Sequence, residues 1–237
     1  MATPFFKFKN FTVWHDKCAM KVGTDGVLLG SWATVSDCRR ILDVGTGTGL
    51  IALMLAQRSN AIIEAIDIDE AACNQAKENI EASSFKDQIK VSCTSIQNYA
   101  VATDQRYDLI VSNPPYFLNS LKGPDNQRNQ ARHNDTLPLI QLLNGSRQLL
   151  TPNGKVSLIL PASQQDELNE LLPSTLLFTT RETLILPTPQ SAPKRILVEL
   201  SANQAETCEK TQLIIEEGRH QYTNDYKDLT RDYYLKM

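Results

Sequence analysis

No run of apolar residues in the 237-residue sequence approaches the roughly 20 that a bilayer-spanning helix needs. The opening "MATPFFKFKNF" lacks a continuous apolar stretch of the kind a secretory signal carries, so neither export nor a membrane is expected. Paired cysteines are missing too. Cys18, Cys38, Cys73, Cys93 and Cys208 are scattered, odd in number and form no CxxC, which argues against a metal knuckle or a disulfide framework. They read as small buried hydrophobes in a reducing, cytoplasmic setting. Basic charge is not in excess: 24 Lys and Arg face 27 Asp and Glu, for a net charge of −3. That disfavours a protein that coats nucleic acid nonspecifically, while leaving room for local basic patches. Histidine is scarce, and His15, His133 and His220 lie apart from the motifs below, so none is assigned to catalysis and no metal is expected.

What is present is a regular alternation. "ILDVG" (41–45), "AIIEAIDI" (61–68), "IKVSC" (89–93), "YDLIVS" (107–112) and "KVSLIL" (155–160) read as buried strands. Between several of them lie helical patterns: "GLIALMLAQRS" (49–59), "EAACNQAKENIEAS" (70–83) and "LPLIQLLNGSRQLL" (137–150), the last closed by the turn "TPNG". "SQQDELNELL" is a further helix, and "LLFTTRETLIL" (176–186) and "RILVELS" (195–201) read as a closing antiparallel pair. Strands alternating with helices specify an α/β fold: a mostly parallel sheet of seven strands, helices on both faces and an antiparallel strand at one edge. Before it, "VGTDGVLLGSWATV" reads as a helix capped by Thr24, with Asp25 in its first turn. A single domain over 1–237 is expected: an N-terminal segment 1–40 covering the site, the sheet over 41–202, and an appendage 203–237.

"LDVGTGTGL" puts Gly45, Gly47 and Gly49 where the first of these strands meets its helix, so the backbone can turn tightly and approach a ligand closely. The spacing is G-x-G-x-G, shorter than the dinucleotide fingerprint G-x-G-x-x-G. Asp43 sits just ahead of it, where it would repel a pyrophosphate but suits a ligand with a cationic amino group, as in S-adenosylmethionine. Asp67 ends the next strand in "AIDID", placed to accept ribose hydroxyls, and Asp69 is the nearer candidate to cap the following helix. This pair of motifs resembles class I S-adenosylmethionine-dependent methyltransferases, a Rossmann-like fold. The resemblance implies an acid at the end of the third strand for the cofactor's adenine. "VSCTSIQNY" offers Ser95 instead, a weaker acceptor.

The strand "YDLIVS" runs into Asn113-Pro114-Pro115-Tyr116. Two prolines stiffen the chain and fix where its carbonyls point. The Asn113 amide oxygen and the Pro114 carbonyl can then accept both hydrogens of a planar amino group, while Tyr116 offers a face for a base to stack on. Such acceptors favour pyramidalisation of a nitrogen whose lone pair is otherwise delocalised, and no strong base is required. "NPPY" resembles the motif of amino-group methyltransferases that act on adenine N6, cytosine N4, guanine N2 or a glutamine amide.

The flanks narrow the choice. "HDKCAMKVGTDGVLLGSWA", "LPTPQSAPKRILVELS" and "YTNDYKDLTRDYYLKM" closely resemble the bacterial tRNA1(Val) (adenine(37)-N6)-methyltransferase family. That resemblance implies N6 methylation of an adenosine beside an anticodon, with tRNA as partner; methylation of another base amino group or of a protein glutamine stays open. Lys7, Lys9, Lys17 and Lys21 against Asp16 leave the first 21 residues at +3. Lys21, Phe117, Arg128, Arg132, Lys194 and Arg195 are the candidate substrate contacts, the basic ones suited to position phosphates without reading sequence. The long stretch 117–133 is expected to act as a lid, and a monomer is expected.

Overall fold

Short runs of Ile, Leu and Val bounded by glycine, proline or acids set the architecture, and the computed structural model describes residues 3–18, 21–115 and 137–236 of it. The chain begins with a hairpin of β1 (Phe5–Lys7) and β2 (Thr12–Trp14), then helix α1 (Thr24–Trp32). It goes on to alternate through β3 (Arg40–Val44), α2 (Leu50–Arg58), β4 (Ile62–Asp67), α3 (Glu70–Glu81), β5 (Ile89–Cys93), α4 (Ile96–Ala102) and β6 (Tyr107–Ser112). After the helix Leu139–Leu149 come β7 (Leu150–Pro161), the helix Gln165–Thr175, β8 (Phe178–Leu186), β9 (Arg195–Ser201) and β10 (Glu209–Ile214). A short pair, β11 (Glu216–Gly218) and β12 (Gln221–Tyr222), and the helix Asn224–Thr230 complete it.

Eight strands form the main sheet in the order β10-β8-β9-β7-β6-β3-β4-β5. This exceeds the expected seven because β10, read from sequence as part of an appendage, pairs in parallel with β8. The antiparallel strand is also not at the edge. β9 runs antiparallel between β7 and β8, and hydrogen-bonds to both. A strand read from its own composition does not reveal a second neighbour, so insertion at the centre and pairing at the rim look alike in sequence. The expected turn "TPNG" survives as an irregularity: Tyr107 pairs with Leu150 but Leu109 with Lys155, so residues 151–154 are looped out of register.

Apolar clusters lie on each face. One gathers Val27, Leu29, Leu53, Met54 and Ile63 under α1, α2 and α3; the other gathers Leu42, Ile110, Leu142, Leu143 and Leu158 under α4 and the two later helices. Each fully buried Leu or Ile contributes about 1.5–3 kcal/mol over its exposed state. Close approach of α1 to α2 depends on two glycines one helical turn apart. A Cβ on Gly26 would meet Leu50 Cδ2 at 2.9 Å, and one on Gly30 would meet Met54 Sδ at 2.7 Å. Thr24 is the first helical residue rather than the cap; Gly23 holds the cap position without a side-chain bond. Asp69 does cap α3, its carboxylate accepting from the Ala71 amide at 2.8 Å.

Two acids are buried in the sheet with opposite consequences. Burial pushes Glu199 upward, but Lys155 at 2.8 Å and Arg181 at 3.4 Å outweigh it and hold the carboxyl below its usual range. Asp43 lies between Ala65 and Val111 in register, is wholly buried and, among the described residues, has no cation against it. Burial pushes it up to about 7, although the Thr46 hydroxyl donates to Oδ2 at 2.7 Å. Its Oδ1 makes no regular hydrogen bond, and the Ala52 amide of α2 helps the charged form only weakly.

Two outcomes follow. Gly30→Val should lower unfolding free energy by about 1–3 kcal/mol through overpacking against Met54, read by urea denaturation; a change within about 0.5 kcal/mol would contradict the close contact. For Asp43, the folded protein keeps a proton that the unfolded chain, ionising near 3.8, has already lost. Its contribution to stability is therefore full below that pH and is lost as the pH climbs to about 7. Asp43→Asn does not titrate, so its stability relative to the parent should rise across that window and level off above it. A pH-independent difference in denaturation midpoints between the two proteins would contradict this.

Candidate active site

Parallel strands place their carboxyl ends together, and a cleft of about 960 Å³ opens there, walled by the ends of β3, β4, β5 and β6. The glycine loop forms one side. Gly45, Gly47 and Gly49 all take positive φ, at 71°, 56° and 80°. At Gly47 an added Cβ would meet no protein atom within 4 Å, so the loop presents bare backbone beside the cleft.

The loop is tied to the tip of β4 by three bonds. The Gly45 and Thr46 amides donate to the Ile66 carbonyl at 2.8 and 3.0 Å, and the Gly47 amide donates to Asp67 Oδ2 at 2.8 Å. Asp67 Oδ1 accepts from the Asp69 amide at 3.0 Å. Both carboxylate oxygens are thus held by backbone, and the side chain is aimed before any ligand arrives. A carboxylate has about four lone-pair sites, so each oxygen keeps capacity for a ligand hydroxyl.

Beyond β5, Thr94 to Asn98 form the next wall. Ser95 lines the cleft, but its hydroxyl also caps α4, accepting from the Asn98 amide at 3.2 Å. That helix is absent from the sequence reading because its seven residues, Ile96 to Ala102, carry too short an apolar pattern. Ser112 donates to the Val44 carbonyl at 2.7 Å, locking the ends of β6 and β3 together, and Asn113, Pro114 and Pro115 continue from it along the cleft. Tyr116, Phe117, Arg128, Arg132 and the expected lid over 117–133 lie outside the described residues.

Two cofactor candidates stand apart from the cleft: Gly49, where an added Cβ would meet Ala76 of α3 at 3.4 Å, and Asp43. Asp43 sits behind the loop and touches it through Thr46. Lys21 and Asp25, in contrast, line the cleft from the N-terminal side. Asp25 accepts from Arg195 Nε at 2.9 Å, so this candidate substrate contact is tied to α1, while its neighbour Lys194 is exposed. Sequence reading missed the groups that hold the N-terminal segment in place. Buried Asn79 of α3 accepts from the Trp14 amide and donates to the carbonyls of Trp14 and Thr48, each at 2.9 Å. Gln75, one turn earlier, accepts from the Lys17 amide at 3.1 Å. Two amides facing the same side of an otherwise apolar helix face were the available signal. Among the described residues, no three His, Cys, Asp or Glu side chains gather as metal ligands, and no helix is long and apolar enough to cross a membrane.

The sequence pattern of the methyltransferase small domain matches residues 20–180. A protein of Parabacteroides distasonis named tRNA1(Val) (adenine(37)-N6)-methyltransferase is 55% identical over 237 residues, covering 100% of both chains. One of Bacteroides thetaiotaomicron with the same name is 51% identical, again over 100% of both. Among solved structures, a predicted O-methyltransferase of Agrobacterium tumefaciens superposes with a TM-score of 0.68 at 21% identity, covering 88% of this chain and 96% of that one. A SAM-dependent methyltransferase of the same organism gives 0.58 at 18% identity, over 86% and 72%. These two likenesses bear on the fold, which is that of the class I methyltransferases. From its full-length relatives and its matched domain, the chain belongs to the tRNA1(Val) (adenine(37)-N6)-methyltransferase family.

Proposed function

We propose that the chain methylates N6 of adenosine 37, beside the anticodon of tRNA1(Val), using S-adenosylmethionine. One observation carries the reading: the ends of four adjacent parallel strands gather the bare glycine loop, the pre-aimed Asp67 and the rigid Asn113-Pro114 turn around a single cleft. The choice of base and tRNA is drawn from the names of the full-length relatives. The cleft's volume, about 960 Å³, lies at the upper end of the roughly 300–1,000 Å³ usual for small-molecule sites, which suits a cofactor together with an extruded nucleoside.

When bound, S-adenosylmethionine supplies an electrophilic methyl group on a sulfonium. Asp67 accepts the ribose hydroxyls, and the backbone at Gly45 and Gly47 permits the close approach, while Gly49 lets the end of the loop pack on α3. Ser95 accepts from the adenine amino group with the capacity left after capping α4. Asp43 acts on the loop from behind through Thr46 rather than by contact. The Asn113 amide oxygen and the Pro114 carbonyl accept the two hydrogens of the target amino group, bringing its lone pair out of conjugation and toward the methyl carbon. Tyr116 and Phe117 stack on the extruded base. A nucleotide next to an anticodon is already unpaired, which lowers the cost of extruding it. Lys21, Arg128, Arg132 and Lys194 meet tRNA phosphates; Arg195 contributes through its pairing with Asp25, and the enzyme acts as a monomer.

Labelled-methyl transfer to tRNA from cells lacking the enzyme should yield N6-methyladenosine on nucleoside analysis. Methylated guanine or cytosine, or ribonuclease-resistant label in protein, would overturn the assignment. Asn113→Ala should lower kcat by about 10²–10³-fold while changing cofactor affinity less than about fivefold. Asp67→Ala should instead weaken cofactor binding by about 1.5–3 kcal/mol in calorimetric titration, from loss of charge-assisted bonds. Equal losses of cofactor affinity in both variants would refute this division of roles.

A further inference from the structure

Of the five cysteines, Cys73 alone is buried and Cys93 is exposed, so the expectation of uniformly buried thiols does not hold. These two converge on one turn: Cys73 lies in the first turns of α3, and Cys93 is the last residue of β5. Both also grip the turn that carries the Asp67 carboxylate. The Cys73 thiol donates to the Asp67 carbonyl at 3.5 Å, with Ser92 as a longer alternative at 3.8 Å, and the Cys93 thiol donates to the Ile68 carbonyl at 3.8 Å. Cys93 is the register partner of Asp67 across β4 and β5, and the residues that follow it, Thr94 and Ser95, wall the cleft. Neither cysteine itself lines the cleft.

We propose that Cys73 and Cys93 form a reversible disulfide whose formation weakens binding in the adjoining cofactor cleft. The exposed Cys93, as thiolate, attacks a small-molecule disulfide and expels one thiolate; Cys73, as thiolate, then attacks the Cys93 sulfur and expels the second. The two protein thiols lose two protons and two electrons, and the oxidant leaves as two thiols. Closing the bond brings the two sulfurs to about 2.05 Å, from positions where each now bonds a carbonyl of the Asp67–Ile68 turn. It removes both S–H donors from the Asp67–Ile68 turn. The Asp67 carbonyl keeps the Thr94 amide at 2.8 Å, so the disturbance falls on Ile68 and on the end of β5 that leads into Thr94 and Ser95. The consequence for affinity rests on the cofactor reading above; the formation of the link does not. By linkage the effect is reciprocal, so saturating cofactor favours the reduced pair by the same factor.

The test treats the full chain with oxidised glutathione, blocks the remaining thiols, maps peptides without reduction, and titrates S-adenosylmethionine before oxidation, after it, and after dithiothreitol. A linked Cys73–Cys93 peptide is expected, with the cofactor dissociation constant raised about fivefold or more and restored by reduction. Fivefold coupling corresponds to a midpoint potential raised by about 20 mV when cofactor saturates the protein. Cys93→Ser should bind cofactor like the reduced parent and ignore the oxidant. Three results overturn the proposal: only a mixed disulfide on Cys93, a linked protein of unchanged affinity, or a Cys93→Ser variant that loses affinity on oxidation as the parent does. A reduced protein that binds no cofactor sinks the functional reading and the coupling together, while the linked peptide still decides whether the thiols join.

Discussion

The bond from the Gly47 amide to the Asp67 carboxylate joins the two features on which the cleft depends. A glycine loop with positive φ at three positions has many alternatives in the unfolded chain and few contacts to choose among them. Its selection falls to the strand next door: the Ile66 carbonyl takes two loop amides and Asp67 takes a third. The same carboxylate is turned by the Asp69 amide, and Asp69 in turn caps α3. Loop, Asp67 carboxylate and helix start are therefore one hydrogen-bonded unit at the tip of β4. Its rigidity matters because an acceptor already in position loses little entropy when a ligand arrives.

Buried charge is handled in two ways within the same sheet. Glu199 is surrounded by Lys155, Arg181 and the Thr180 hydroxyl, and stays ionised as part of a closed network beneath α1, where Arg181 also lies 3.7 Å over the Trp32 ring. Among the described residues Asp43 has the Thr46 hydroxyl and the Ala52 amide but no cation, and Asp67 nearby pushes its carboxyl further in the direction that burial sets. A buried charge without a counterion is costly, so a structural acid there would be expected to carry one. The position beneath the glycine loop makes sense of the exception. A carboxyl bonded to Thr46, which lines the cleft, can shape the loop's electrostatics without itself lining the cleft.

Much of this was legible in the sequence, for reasons that differ by residue. Strands β3 to β7 were readable because parallel strands covered on both faces give continuous apolar runs, and Ile41, Leu42, Leu109 and Ile110 are all fully buried. Asp67, Asn113, Gly45 and Gly47 could be placed at one cleft from sequence because they stand at strand ends, which such runs locate. The position of β9 was not, since its pattern is satisfied equally by one neighbour or two. Ser95 could be placed at the cleft wall but not as a cap, because the helix it begins spans only seven residues. Asp43 was placed at the right end of the right strand and on the wrong side of the loop: spacing fixes how far along a strand a residue lies, whereas its facing depends on where the loop turns.

The N-terminal segment supplies one wall of the cleft, through Lys21 and Asp25. Residues 12–14 form a strand paired only with β1, outside the main sheet, so nothing in the sheet's hydrogen bonding holds them against it. Asn79 supplies that hold with both ends of one amide, and its bond to the Thr48 carbonyl reaches the end of the glycine loop. Gln75 repeats the device one turn earlier at Lys17. The segment then continues past Lys21 to Asp25, where the ion pair with Arg195 fixes it to β9. The wall is therefore tied at both ends, to α3 and to the one antiparallel strand. The central placement of β9 bears directly on this, because it sets Arg195 beside Pro161 at the end of β7 rather than out at the rim of the sheet.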